Sequence, residues 1–232
     1  MDEGKLLRHI ISKEGIHIDP TWVESIQKIH FPRSKNEIQE FNSKMKFLCR
    51  FVPNLAKHLR KNSVVKWTKE AIKSFNLVKF SLSLAPILIS PNYFQDFILF
   101  SFASEHTMAI VLMQKWDQLE KPISFLSRTI RDVALKYKII EKKALALVKA
   151  MKYFWVYILH SHILAYVPNA VVKDVLVQTD PEGRRGKWIT TLLEYDLEIK
   201  PTKLIKGQSL AKLMAESNLH ALDINLIVAM SE

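Results

Sequence analysis

Apolar residues along the chain follow two different periods, and the change from one to the other divides it. KLLRHIISKEGIHIDP alternates apolar and polar positions about Glu14-Gly15, which predicts a strand, a tight turn and a short return strand. Asp19-Pro20 then has the chemistry of a helix start, Asp as N-cap and Pro at the first helical position. The helix is predicted through TWVESIQKI, with Val23 and Ile26 inward, and Pro32 stops it. In SKNEIQEFNSKMKFLCRFVP, Ile38, Phe41, Met45 and Leu48 recur at helical spacing, Ser34 and Glu37 suit a capping box, and Pro53 closes the element. Residues 68–84 predict a third helix striped by Ile72, Phe75 and Val78.

Pro86 and Pro91 mark the change of period. Beyond them DFILFSF (96–102), MAIVLMQ (108–114) and KPISFLS (121–127) read as strands. A long helix is predicted over roughly 132–158, with Ile140, Ala144, Leu147, Met151 and Phe154 or Trp155 on one side. HILAYV is the next strand, followed by a helix around 170–176 and a loop, TDPEGRRGK. WITTLLE reads as helical, YDLEIKPT as a last strand, and 208–216 as a short helix. This order predicts an α/β (α+β) fold, a mixed five-stranded sheet with flanking helices behind a small helical subdomain. The expected divisions are 1–18, 19–85, 92–218 and a tail over 219–232.

Composition removes several classes of chemistry. With 5 Gly among 232 residues and no GxGxxG or GxxxxGK[ST], Gly-rich phosphate loops are excluded. The lone Cys49 excludes an internal disulfide or a Cys-based zinc site. No Gly-x-Ser-x-Gly elbow is present. MDEGKLLRHIISKEG lacks a secretory pattern, and FSLSLAPILISPNYFQ is too interrupted by Pro to span a bilayer. An intracellular protein, cytoplasmic or nuclear, with no membrane partner is expected. The formal net charge of +11 favours a polyanionic partner, nucleic acid first.

Several segments, taken in order, resemble one family. ISKEGIHIDPTWVESIQ, FPRSKNEIQEF and CRFVPNLAKHL are similar to the end of a reverse transcriptase palm and its thumb in gypsy-type long-terminal-repeat retrotransposon polyproteins. VVKWTKEAIKSFNLVKFSLSLAPIL resembles the W-T-x-E-x-x-x-A-F segment that follows. KPISFLSRTI, KYKIIEKKALALVKAMKYFWVYI and KGQSLAKLMAESN resemble the ribonuclease H-like domain, so the likeness runs from about Lys5 to Asn218. The polymerase's Y-x-D-D turn is absent, so DNA synthesis by this chain is not expected.

A ribonuclease H of this family cuts RNA paired to DNA with two Mg²⁺ ions, which need several converging carboxylates. The resemblance implies four acids. Where the first lies in T-D-A-S, this chain has Ser101-Phe102-Ala103-Ser104, and Glu105 stands beyond the strand end. The second, in I-E-K-E-L-L-A, is kept as Glu141. The third position falls in Tyr166-Val167-Pro168-Asn169, with no acid until Asp174, and the fourth in Ala211-Lys212-Leu213. One acid of four remains and one position is reversed in charge. The expectation is therefore a pseudoenzyme, with Glu141 the sole retained catalytic-type acid and vestigial. No metal ligands and no cofactor are expected, Mg²⁺ entering only if the nuclease works.

Basic clusters are the binding candidates: Lys57, Arg60 and Lys61 after the thumb-like helices, Arg184, Arg185 and Lys187 in the GRRGK loop, and Lys142, Lys143, Lys149 and Lys152 along the long helix. The aromatic run Tyr153-Phe154-Trp155-Tyr157 reads as core, and His160 and His162 as surface residues. The expected role is a nucleic-acid-binding tether whose partners are an RNA–DNA hybrid or duplex, with the upstream polymerase domain as a further partner. The alternatives are an active hybrid nuclease built on Glu141, Glu105 and Asp174, and a remnant or domesticated interaction domain.

Overall fold

The computed structural model describes residues 3–46, 85–167 and 183–201, together with 72, 75, 76, 79, 80, 82, 83 and 176. These residues fall into two compact units that divide between Ile89 and Ser90.

The first unit opens with three antiparallel strands in sequence order: β1 (Glu3–Leu6), β2 (His9–Ser12) and β3 (Gly15–Ile18). The β2–β3 turn is the expected one at Glu14-Gly15. Gly15 has φ +136°, and a Cβ there would run into the Leu88 carbonyl, so only glycine fits. That close approach lets Ile16 and Leu88 exchange backbone hydrogen bonds of 2.7 and 2.8 Å.

The sequence predicts one hairpin here and the structure has two. The extra turn is Leu7-Arg8, both at positive φ (45° and 71°), a conformation neither residue advertises. Tertiary contacts hold it. The Asp19 N–H donates to the Arg8 carbonyl at 3.1 Å, and the Arg8 guanidinium lies 3.4 Å over the Trp22 ring.

Helix α1 (Pro20–Gln27) starts as expected, Asp19 accepting from the Thr21 N–H at 3.0 Å with Pro20 at the first turn, and it buries Ile26 completely. Helix α2 (Lys35–Lys46) follows its box. The Ser34 hydroxyl accepts from the Glu37 N–H, while Glu37 reaches back to the Arg33 N–H at 2.9 Å. Ile38 and Phe41 face inward, and Phe75 stacks near both Phe41 and Phe31, with centroids 4.8 and 5.1 Å away. The described residues among 72–83 are helical.

The second unit is built on a five-stranded sheet in the order β6-β5-β4-β7-β8. β4 (Phe97–Ala103), β5 (Thr107–Trp116) and β6 (Leu119–Thr129) form an antiparallel meander, the pairing expected among 96–102, 108–114 and 122–127. β7 (Ile163–Val167) lies parallel to β4, and β8 (Leu197–Pro201) parallel to β7, which makes the sheet mixed. Helix α3 (Ile139–Ile158) packs on β4, β5 and β7 through Ala144, Leu147, Met151 and Phe154, all fully buried. It starts later than predicted, because Asp132–Lys136 forms a separate 3-10 turn with Asp132 at φ 55°.

Helix α4 (Gly183–Leu193) corrects another expectation. GRRGK is the first turn and a half of this helix, not a loop. Trp188, Thr191 and Leu192 are buried at i, i+3 and i+4, and that burial outweighs the two glycines at the start. Of the helix expected around 170–176 only Leu176, helical and buried, is described, and the one at 208–216 lies outside the described residues.

Candidate functional site

The family's first acid position falls near the C-terminal end of β4. Every residue of this strand is buried except Phe102, whose ring is partly exposed and which pairs with Ala109. Ser101, only 1% exposed, has a hydroxyl with no hydrogen-bond partner among the described residues. The turn into β5 is closed by a small polar network. Ser104 N–H donates to the Thr107 carbonyl (2.8 Å), Thr107 N–H donates to the Ser104 hydroxyl (3.1 Å), and the two hydroxyls are 2.8 Å apart.

Glu105 sits at the apex of this turn. Its carboxylate is exposed and lies 4.0 Å from His106, past the end of the strand. Its backbone carbonyl has a different partner: the Lys142 ammonium, which donates to it at 2.7 Å. Lys142 is only 6% exposed. This corrects its assignment to a solvent-facing basic stripe, since the helix turns position 142 under the β4–β5 turn while Lys149 and Lys152 stay exposed.

Glu141 is in the first turn of α3, where its carboxylate accepts the Lys138 N–H at 3.1 Å. An acid there satisfies one orphan donor and complements the positive end of the helix dipole. That is a structural use for the one acid the sequence retains.

Two of the acid positions that the resemblance implies lie among the described residues, and neither places a free carboxylate at the end of β4. A phenyl ring stands at the first acid position, an ammonium lies under the adjacent turn, and the acid of α3 caps its own helix. Among the described residues no three His, Cys, Asp or Glu side chains are grouped to hold a metal ion. Asp174, Asn169 and Lys212 lie outside the described residues.

Of the nucleic-acid-binding candidates, Lys57, Arg60 and Lys61 lie outside the described residues. The backbones of Arg184 and Arg185 are helical, and Lys187 is exposed on α4. The aromatic run divides: Phe154 is core, whereas Tyr153 (42%) and Trp155 (52%) are exposed, because consecutive residues of a helix point to different faces. His162 at the start of β7 is tied to Asp196 (3.0 Å) and faces Glu198 (3.9 Å). Local spacing also gives no sign of Arg128, at the end of β6, whose guanidinium lies 5.5 Å from the Tyr153 ring centroid. No helix among the described residues is long and apolar enough to cross a membrane.

Residues 67–165 match the family described as the RNase H-like domain found in reverse transcriptase. Within it the relatives are Pol polyproteins of retrotransposons, in keeping with the resemblance read from the sequence. The chain is 30% identical over 233 residues to the retrovirus-related Pol polyprotein from transposon 297 of Drosophila melanogaster, covering 94% of this chain and 21% of the relative. It is 24% identical to the Pol polyprotein from transposon opus of the same species, over 95% of this chain and 24% of the relative. The transposon Tf2-3 polyprotein of Schizosaccharomyces pombe is also 24% identical, over 84% and 16%. The chain thus spans about a fifth of the length of these relatives.

Among solved structures, the foamy viral protease-reverse transcriptase in complex with RNA/DNA hybrid superposes with a TM-score of 0.70 at 22% identity, covering 89% of this chain and 30% of that one. The same protein in complex with double-stranded DNA gives 0.67 at 22% identity, over 88% and 46%. These are likenesses of fold.

Proposed function

We propose that this chain is a nucleic-acid-binding segment of a retrotransposon Pol polyprotein whose ribonuclease H-like domain is catalytically silent and serves as a tether. The observation that carries the reading is Phe102. A ring at the end of β4 supplies no oxygen to a metal and puts an apolar group where the reaction needs anionic charge. Lys142 reinforces it, since an ammonium beneath the neighbouring turn repels a divalent cation at close range. No Mg²⁺ is required for a tether.

Two things support the binding half of the reading. The net charge is +11, and the fold is shared with a reverse transcriptase solved in complex with RNA/DNA hybrid and with double-stranded DNA. Lys and Arg side chains neutralise phosphates without reading sequence, so affinity should fall steeply with salt and depend little on base composition. An adjoining polymerase domain of the same polyprotein is the protein partner this reading implies.

The test is a salt titration of binding to a labelled RNA–DNA hybrid. Changing Lys57, Arg60 and Lys61 to Ala should reduce the slope of log K against log salt by about 2–3, each phosphate on a B-form duplex being worth roughly 0.9. The matching change at Arg184, Arg185 and Lys187 tests the start of α4. Binding that is absent, or insensitive to salt, would contradict the tether.

A further inference from the structure

We propose that the C-terminal half of α3 and the end of β6 form a surface for the phosphate backbone of duplex nucleic acid, centred on Tyr153 and made by Arg128, Lys149 and Lys152. The proposal rests on the nucleic-acid-binding reading above and assigns a surface to it.

Helical geometry brings the α3 residues together. Positions 149, 152, 153 and 156 follow one another at i, i+3, i+4 and i+7, so they share one face, and all four are exposed. Lys142, two turns earlier, is withdrawn beneath the β4–β5 turn and takes no part. The sheet then adds a cation that sequence spacing cannot place: Arg128, exposed on β6, with its guanidinium 5.5 Å from the Tyr153 ring centroid. At that distance the ring face attracts the guanidinium and holds it on the side of the helix where the two lysines emerge.

No ion pair engages Arg128, Lys149 or Lys152 among the described residues. The one acid of α3 is Glu141, eight residues before Lys149 and about 12 Å away along the axis. On β6 the acid is Glu120, at the far end of the strand from Arg128, and β5 carries none. The nearest turn holds Glu105, whose carboxylate lies beside His106. Exposed Asp132, four residues after Arg128, pairs with none of the three cations among the described residues, which leaves all three to complement a row of phosphates. Lys149 and Lys152 are less than one helical turn apart, about 4.5 Å along the axis, and their flexible stems can span neighbouring phosphates.

The experiment measures binding of a labelled duplex to the 232-residue chain by fluorescence anisotropy from about 50 to 200 mM salt. Arg128→Gln with Lys149→Gln and Lys152→Gln should lower the magnitude of the log K–log salt slope by about 2–3. Arg128→Lys with Lys149→Arg and Lys152→Arg should keep it, which separates lost charge from lost structure. An unchanged slope in the Gln variant, with an unchanged thermal melt, overturns this surface while leaving the tether in place. No binding by the unsubstituted chain removes both. Displacement of the duplex by an acidic polypeptide at equal charge would make this a protein-docking surface and overturn the assignment.

Discussion

Ser101 is a buried hydroxyl without a partner among the described residues, in a strand otherwise packed with Phe97, Leu99 and Phe100. Burying such a group unpaired costs about 1–3 kcal/mol, so Ser101→Ala should raise stability by about 1 kcal/mol, read as a higher urea midpoint. A lower midpoint would mean that the hydroxyl is satisfied. Two acids of the first unit make its stability depend on pH. The Thr21 hydroxyl, then the Lys5 ammonium, hold the Asp19 carboxyl below the usual range, and the Arg33 N–H, then the Ser34 hydroxyl, do the same for Glu37. A depressed folded-state pKa contributes stability that is present above the unfolded value and lost as pH falls through the folded one. Stability should therefore decline on acidification toward about pH 3, and Asp19→Asn should flatten that decline. An identical pH profile in the variant would contradict the assignment.

At the scale of elements, turns show where the sequence was and was not legible. The buried face of α3 follows from helical periodicity, and the strands 96–102, 108–114 and 121–127 from their apolar runs, because β4 and β5 are buried on both faces. The Leu7-Arg8 hairpin does not, since its positive-φ pair is held by Asp19 and Trp22 from another element. The helical start of α4 escapes for a similar reason: buried Trp188 and Leu192 override a Gly-flanked basic run. The site was half legible. The residue at each acid position can be read directly, but the burial of Lys142 and the pairing of Arg128 with Tyr153 depend on contacts across the sheet and helix. The β5–β6 turn carries the same kind of strain as Leu7-Arg8, with Asp117 at φ 50° and Gln118 at φ 65°. Gln118→Gly supplies the residue such a turn prefers and should stabilise by about 1 kcal/mol. Gly15→Ala should do the opposite, costing about 1–3 kcal/mol, because its Cβ would meet the Leu88 carbonyl at positive φ. Denaturant midpoints moving in the reverse directions would contradict both.

At the scale of the whole molecule, the fold is shared with reverse transcriptase structures and the net charge is +11, while the proposed silence of the ribonuclease H-like domain turns on the residues at the end of β4. Phe102 gives no ligand, Lys142 places positive charge under the adjoining turn, and Glu141 caps its own helix. Restoring one acid should therefore not restore activity: Phe102→Asp alone is expected to leave a hybrid uncut, because the third and fourth positions still lack carboxylates and Glu141 caps its own helix. The most direct measurement is cleavage of a labelled RNA–DNA hybrid by the unsubstituted chain with Mg²⁺ or Mn²⁺, at a concentration where the hybrid is bound. The account predicts intact RNA strand in every lane. Metal-dependent cleavage that Glu141→Gln abolishes would contradict it.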